Sequence, residues 1–364
     1  MNPIKNIEIK RFKSIQHLKI DGCKRINVFI GYPNTGKSNI LEALSLLAIN
    51  KTQTHFSSFV RAEELTTLFF NGNVDEDIEI TINGNNVIRG NLMASNEVYF
   101  GWQLVIKENS SNALTQSQEI KDILHYNKVE SRDEITNWDS IFTRQIRTNE
   151  FVRELEIDGL LSVVKKYSFH RNTSYTSGKY DSLLAPNGEN IFDIVRTHQD
   201  IRTEVANLFD FYKLELLYNS TEKKFSILKR LDKDTVFTIP YPLVSDTLQR
   251  LVFYKAAVKS NKDSILIFEE PEAHMFPPYI REFTSDVIYD KSNQFFLATH
   301  SPYVLDAFAE DAVEDLAVYL VYYENGETKI KLMHESDMVE VRNYGVDLFY
   351  NLESYLKHGQ VNNA

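Results

Sequence analysis

Gly31-Tyr32-Pro33-Asn34-Thr35-Gly36-Lys37-Ser38 reads G-x-x-x-x-G-K-[ST], a spacing that builds a cradle for the phosphates of a nucleotide. Gly31 and Gly36 let the backbone turn tightly and bring its N–H groups onto phosphate oxygens. A helix beginning near Lys37 adds its dipole and unpaired donors. Asn34, Thr35 and Asn39 lie in or beside the cradle and count among its nucleotide contacts. Lys37 is placed for the terminal phosphate. The Ser38 hydroxyl suits Mg2+, which keeps most of its octahedral shell as water and phosphate oxygen. A bound Mg·ATP also needs an acid near the metal and a group that orients water. Glu269-Glu270-Pro271-Glu272 supplies adjacent carboxylates after a short apolar run. Neighbouring side chains at a strand end point differently, so Glu269 is assigned to the metal and Glu270 to the water. His300, in Thr299-His300-Ser301-Pro302, is placed to hydrogen-bond the terminal phosphate or that water.

These groups need elements that deliver them to one place. Ile26-Asn27-Val28-Phe29-Ile30 is a buried strand by length and composition, and the run from Ile40 to Ile49 is a helix buried almost all round. Ser264 to Phe268 and Gln294 to Ala298 read as buried parallel strands with polar groups at their C-terminal ends. In open α/β sheets that edge carries ligands, and it is also the edge of the phosphate loop. Upstream, Ile4 to Ile20 reads as strands around the turn Arg11-Phe12-Lys13-Ser14, an antiparallel hairpin expected beside the strand that feeds the loop. Alternation from Asp77 to Ile82, a turn at Asn83-Gly84-Asn85-Asn86 and strand character to Ile106 predict an antiparallel meander. Apolar residues at helical spacing follow, among them Ile120, Ile123, Leu124, Phe151, Leu155 and Val164. This predicts a helical insertion too short for a long coiled-coil arm.

The expected fold is α/β: a head with a P-loop mixed sheet, an antiparallel β subdomain and a short helical insertion. Residues 1–106 form the N-terminal lobe and 107–172 the insertion. Residues 173–335 form the rest of the head, and 336–364 a C-terminal helical segment.

Composition bounds the function. The 364 residues are 43% hydrophobic and 25% charged, ordinary for a globular chain. A net charge of -11 argues against a surface that grips nucleic acid broadly and leaves only a local basic groove open to DNA. The start, Met1-Asn2-Pro3-Ile4-Lys5, has no apolar signal region. No stretch nears the roughly 18 to 20 apolar residues that span a bilayer, so a cytoplasmic location is expected. The lone Cys23 reads as a small buried hydrophobe. The D-x-D triplet Asp232-Lys233-Asp234 reads as a solvated turn.

Roughly 230 residues separate Lys37 from Glu270, with a meander and an insertion between them. That order resembles ABC-type ATPases of the SMC, RecF and OLD-like group. The resemblance rests on Ile-Glu-Ile-Lys-Arg-Phe-Lys-Ser-Ile at 7–15, Gly-Lys-Ser-Asn-Ile-Leu-Glu-Ala-Leu at 36–44, Glu-Glu-Pro-Glu-Ala-His at 269–274 and Ala-Thr-His-Ser-Pro at 298–302. It implies two heads sandwiching two ATP molecules as a homodimer or higher homo-oligomer, each site completed by a signature loop from the opposite head. Here Pro242 to Arg250 matches that loop by position, with Ser245 and Thr247 as phosphate donors at a helix N-terminus. Asp246 stands where the family usually has glycine, and the alternative for this segment is an ordinary helix cap. Glu269 replaces the commoner aspartate, as in the OLD-like branch, and Arg61 lies where an arginine reaching the nucleotide is expected. The Toprim nuclease signature of OLD-like nucleases does not occur after His300. The resemblance therefore implies a separately encoded effector, such as a nuclease, and a role in defence against phage or in DNA maintenance. Two alternatives remain: a nucleotide-binding interaction module with negligible turnover, and a small-molecule kinase.

Overall fold

The computed structural model describes residues 3–48, 59–62, 64–84, 86–94, 98–106, 163–172, 174–176, 178–344 and 347–357. The N-terminal hairpin β1 (Ile7–Phe12) and β2 (Ile15–Ile20) precedes β3 (Ile26–Ile30), the phosphate loop and α1 (Lys37–Ser45). The meander β4 (Ile78–Ile82), β5 (Asn86–Ala94) and β6 (Val98–Ile106) follows. After β7 (Val164–Tyr167) come α2 (Ile191–Thr197), α3 (Gln199–Asp210) and the strands β8 (Glu215–Asn219), β9 (Lys224–Arg230) and β10 (Val236–Pro240). The chain then runs through α4 (Asp246–Ser260), β11 (Ile265–Glu269), α5 (Pro277–Tyr289), β12 (Gln294–Ala298) and α6 (Pro302–Asp311). It closes with β13 (Leu316–Glu324), β14 (Glu327–Leu332), α7 (Glu335–Tyr344) and α8 (Leu348–Lys357).

The central sheet has the order β14-β13-β3-β12-β11-β7. All its neighbours run parallel except the β13–β14 pair. Its inner strands are predominantly apolar because both faces are covered, with Asn27 of β3 and Gln294 of β12 buried and hydrogen-bonded. Period-two alternation sends Ile26, Val28 and Ile30 of β3, with Leu266, Phe268, Phe295 and Leu297, into a core shared with α4, α5 and α6. The opposite face presents Phe29, Ile265, Ile267, Phe296 and Tyr319 to α1 and the β1–β2 hairpin. Phe29 stacks there on Tyr319, with ring centroids 5.2 Å apart.

Two expectations need correction. The hairpin does not lie beside β3. It joins the meander in a separate five-stranded antiparallel sheet, β2-β1-β4-β5-β6, because both edges of β3 are taken by β12 and β13. Val164, read as helical, opens strand β7 at the edge of the central sheet, paired in parallel with β11. The remainder of the expected helical insertion, 107–162, lies outside the described residues. Among the described residues no helix is long and apolar enough to cross a membrane.

Candidate nucleotide site

Strand register brings the polar strand ends together. Phe29 pairs with Ala298 and Ala298 with Glu269, so β3, β12 and β11 finish on one row. Just past that row stand Gly31, the Thr299-His300 pair and Glu270, at the C-terminal edge of parallel strands. Glu270 turns the chain sharply, with φ +45°, and its N–H donates to the Ala298 carbonyl at 2.9 Å.

The phosphate loop is packed from outside. A Cβ on Gly31 would stand 2.1 Å from the Val321 carbonyl oxygen of β13, and one on Gly36, at φ +99°, would stand 2.1 Å from Thr328 Oγ1 of β14. Glycine is therefore required at both places, once by close approach and once also by backbone angle. Thr328 is fully buried; its hydroxyl donates to the Thr35 carbonyl at 2.9 Å and meets Ser14 Oγ at 2.7 Å. Asn39 Nδ2 donates to the same Ser14 oxygen at 2.6 Å, so the turn of the first hairpin and the last strand of the sheet both brace the loop. Lys37 is buried, and its Nζ donates to the carbonyls of Gly31 (2.9 Å) and Tyr32 (2.7 Å). Burial draws its pKa down to about 8 against the pull of Glu270.

Opposite the loop, His300 Nε2 lies 3.5 Å from Glu270 Oε1, both side chains partly exposed. Burial and the nearby Lys37 lower the His300 pKa, and Glu270 opposes them, so the ring is neutral at pH 7 and can donate or accept. Glu269 sits between two cations: Arg61 Nη2 donates to Oε1 at 2.9 Å and Lys166 Nζ stands 3.7 Å from Oε2. Arg61 also donates through Nε at 2.7 Å to Glu42, a fully buried carboxylate on α1 that Lys13 engages from its other oxygen. Lys166 is itself buried and donates to the Phe59 carbonyl at 2.8 Å.

Ser38, Glu269 and Glu270 line one cleft of about 580 Å³ together with Arg61 and Lys166. A hydroxyl and a carboxylate in one cleft beside a phosphate cradle are the hard oxygen donors that Mg2+ takes, and they fit that ion. Among the described residues no cluster of three or more His, Cys, Asp or Glu is arranged to hold a metal by itself.

Residues 26–306 match the family described as "AAA domain, putative AbiEii toxin, Type IV TA system". The chain belongs to this family. Its fold is that of an SMC head. An SMC head solved with the C-winged helix domain of ScpA superposes with a TM-score of 0.51 at 16% identity, over 93% of this chain and 99% of that one. An ATP/GTP phosphatase of Helicobacter pylori is 34% identical over 88 residues, 21% of this chain and 24% of the relative. The RecF DNA replication and repair protein of Lactococcus lactis subsp. cremoris is 42% identical over 55 residues, 15% of each chain. The chain thus spans a quarter or less of these curated relatives.

The hydroxyls of the segment matched by position to the signature loop make bonds within the chain. Ser245 caps α4 by accepting from the Leu248 N–H at 3.4 Å, and Thr247 Oγ1 donates to the His274 carbonyl at 2.8 Å. Neither hydroxyl lines the cleft that holds Ser38. Asp246 is turned onto Arg250 (2.6 Å) and Arg171 (3.1 Å). Burial raises its pKa, but these two guanidinium groups outweigh it and hold the carboxyl below the usual range. Arg61, expected to reach the nucleotide, pairs with Glu42 and Glu269 and lines the cleft that holds Ser38. Sequence reading passed over Glu42, Lys166, Glu272 and Thr328. Glu42 carried a signal, as the one charged residue between Ile40 and Leu47; Lys166 and Thr328 carried none.

Proposed function

We propose that this ATPase-family chain binds ATP with Mg2+ and hydrolyses it slowly, and that nucleotide-driven head-to-head association controls a separately encoded effector in phage defence or DNA maintenance. The observation that carries the reading is the convergence of Lys37, Ser38, Glu270 and His300 on one sheet edge through the register of β3, β12 and β11. Lys37 and the loop N–H groups hold the phosphates, with Asn34, Thr35, Gly36 and Asn39 shaping the cradle. Ser38, backed by Glu269, would hold Mg2+, which when bound neutralises charge on the phosphate oxygens. Glu270 accepts a hydrogen bond from the attacking water, and neutral His300 steadies that water or the terminal phosphate. The relatives named for ATP or GTP cleavage and for DNA repair support both halves of the proposal.

Association gains support from exposed apolar side chains beside the nucleotide motifs. Tyr32 (47% exposed), Leu243 (74%), Phe276 (62%) and Tyr303 (59%) stand on or beside the segments that carry the phosphate loop, Ser245, Glu270 and His300. Ser245 and Thr247 would then serve the partner head's phosphates. The second reading, an interaction module with negligible turnover, draws on the intrachain bonds that already occupy Ser245, Asp246 and Thr247.

The test is phosphate release from ATP by wild type and Glu270→Gln, with light scattering on the same samples, with and without double-stranded DNA. Turnover in wild type alone, with the variant held by ATP in a larger assembly, supports the hydrolytic switch. Nucleotide binding without phosphate release favours the module. Wild-type turnover in Glu270→Gln overturns the role given to Glu270.

A further inference from the structure

Glu272 stands two residues beyond Glu270 and touches neither the phosphate loop nor the cleft that Ser38 lines. Its Oε1 accepts from Thr299 Oγ1 at 2.6 Å and from the His300 N–H at 3.0 Å. Thr299 Oγ1 in turn accepts from the Ser301 N–H at 3.0 Å, and the Thr299 N–H donates to the Phe29 carbonyl at 3.2 Å. A single carboxylate oxygen thus gathers the chain on both sides of His300 and fastens it to the turn that carries Glu270. Past the last ladder bond, from Glu270 N–H to the Ala298 carbonyl, it ties these two strand ends beside the longer Glu270–His300 approach of 3.5 Å. The turn is itself fixed around Glu272: the Met275 N–H donates to the Glu272 carbonyl at 2.9 Å, and Ala273 to that of Glu270 at 3.0 Å.

The other oxygen, Oε2, is buried and meets no hydrogen-bond partner among the described residues. Leaving a buried acceptor unsatisfied is costly, and fold maintenance alone does not ask for it. An uncharged hydroxyl or amide would join two strand ends with less desolvation. What a carboxylate adds is stronger, charge-assisted bonding to the Thr299 hydroxyl and the His300 amide, and therefore tighter placement of the residue between them.

We infer that Glu272 is a positioning residue for hydrolysis: by fixing the backbone of His300 it holds the imidazole against Glu270, 3.5 Å away, so that both address one water. The inference rests on the ATPase reading proposed above and gives that site a residue that acts without touching substrate. Glu272 itself makes no hydrogen bond to Lys37 or the loop amides, so its loss leaves nucleotide affinity nearly unchanged.

The experiment measures steady-state phosphate release and titration of a fluorescent ATP analogue for wild type, Glu272→Ala, Glu272→Gln, His300→Ala and the Glu272→Ala/His300→Ala double variant. Glu272→Ala is expected to lower kcat roughly 10- to 100-fold, the scale of a misplaced catalytic group. KM and analogue affinity stay within about two-fold of wild type, because the loop is untouched. Glu272→Gln keeps one oxygen able to accept both donors but loses the charge, so its kcat falls between those of Glu272→Ala and wild type. In the His300→Ala background the Glu272→Ala cost disappears, since the residue works through His300. Thr299→Val removes one of the two bonds from the other side and lowers kcat in the same direction, which keeps the test open if Glu272→Ala does not fold. A Glu272→Ala variant with wild-type kcat, a change carried by KM, or costs that add in the double variant overturn the inference. Absence of turnover in wild type defeats the ATPase reading, and this inference with it, before any variant is compared.

Discussion

Glu42 offers a test of whether the charge network beside the cleft is structural. Its carboxylate is fully buried on α1 and engaged by Lys13, whose side chain is 13% exposed, and by Arg61, whose side chain is 65% exposed. Removing one member of a buried pair costs about 3–5 kcal/mol, because a desolvated charge is left without its partner. The Arg61 share is discounted to about 0–1 kcal/mol by its exposure, leaving Lys13 as the main loss and placing Glu42→Ala near the low end, about 3 kcal/mol. At about 2.1 cal/mol/K per residue, 364 residues give an unfolding entropy of roughly 0.76 kcal/mol/K, so this loss lowers Tm by about 4 °C. The matched control is Glu8→Ala. Glu8 is ringed by Lys10, His17 and Lys19, all at least 31% exposed, and its loss costs under about 1 kcal/mol, or roughly 1 °C. Differential scanning calorimetry of both variants at one scan rate separates them. A Tm for Glu42→Ala no lower than that of Glu8→Ala would refute the buried-pair argument.

Gly36→Ala places a methyl 2.1 Å from Thr328 Oγ1 at a φ of +99°, so the loop must move. Nucleotide affinity is expected to fall at least tenfold by analogue titration, while far-UV circular dichroism stays unchanged. Asp246→Asn removes the anion from the first turn of α4 and from Arg171 and Arg250, costing about 0.5–1 kcal/mol at pH 7. The folded-state pKa of Asp246 is depressed, so its stabilisation is present above the unfolded value of 3.8 and is lost as pH falls through the folded one. Thermal melts of wild type and Asp246→Asn should therefore differ at pH 7 and converge below pH 3.8, and a gap that persists unchanged in acid would argue that the charge is irrelevant.

The strands that carry chemistry were legible because their information is local. Ile265 to Phe268 and Phe295 to Ala298 are apolar without interruption, and only a strand covered on both faces asks for that. What was not legible depends on partners distant in the chain. Nothing around Ile7 to Ile20 reveals that both edges of β3 are filled by strands from the last third of the sequence, which sends the hairpin to another sheet. Val-Lys-Lys-Tyr at 164–167 has a poor strand pattern, and Lys166 is buried only because Glu269 and the Phe59 carbonyl receive its ammonium. Thr328 looks like any exposed-face threonine of a hairpin until Gly36 is packed against it. The side chains proposed to bind and cut announce themselves by motif; those that hold them do so through contacts hundreds of residues apart.

That division has a mechanical consequence. The binding half of the site, the phosphate loop, is braced by Val321 and Thr328 from the β13–β14 hairpin and by Ser14 from the first hairpin. The hydrolytic half, Glu270 with His300, is braced by the β11–β12 register and by Glu272. The halves meet through the β3–β12 ladder and through the charge of Lys37, which faces both Glu270 and His300. A substitution in one set of braces therefore has little path by which to disturb the other. Loss of the Thr328 or Ser14 contacts belongs in nucleotide affinity, and loss of the Glu272 contacts in turnover. On the function proposed above, a head built this way would hold nucleotide while hydrolysis is adjusted separately, as a slow switch requires.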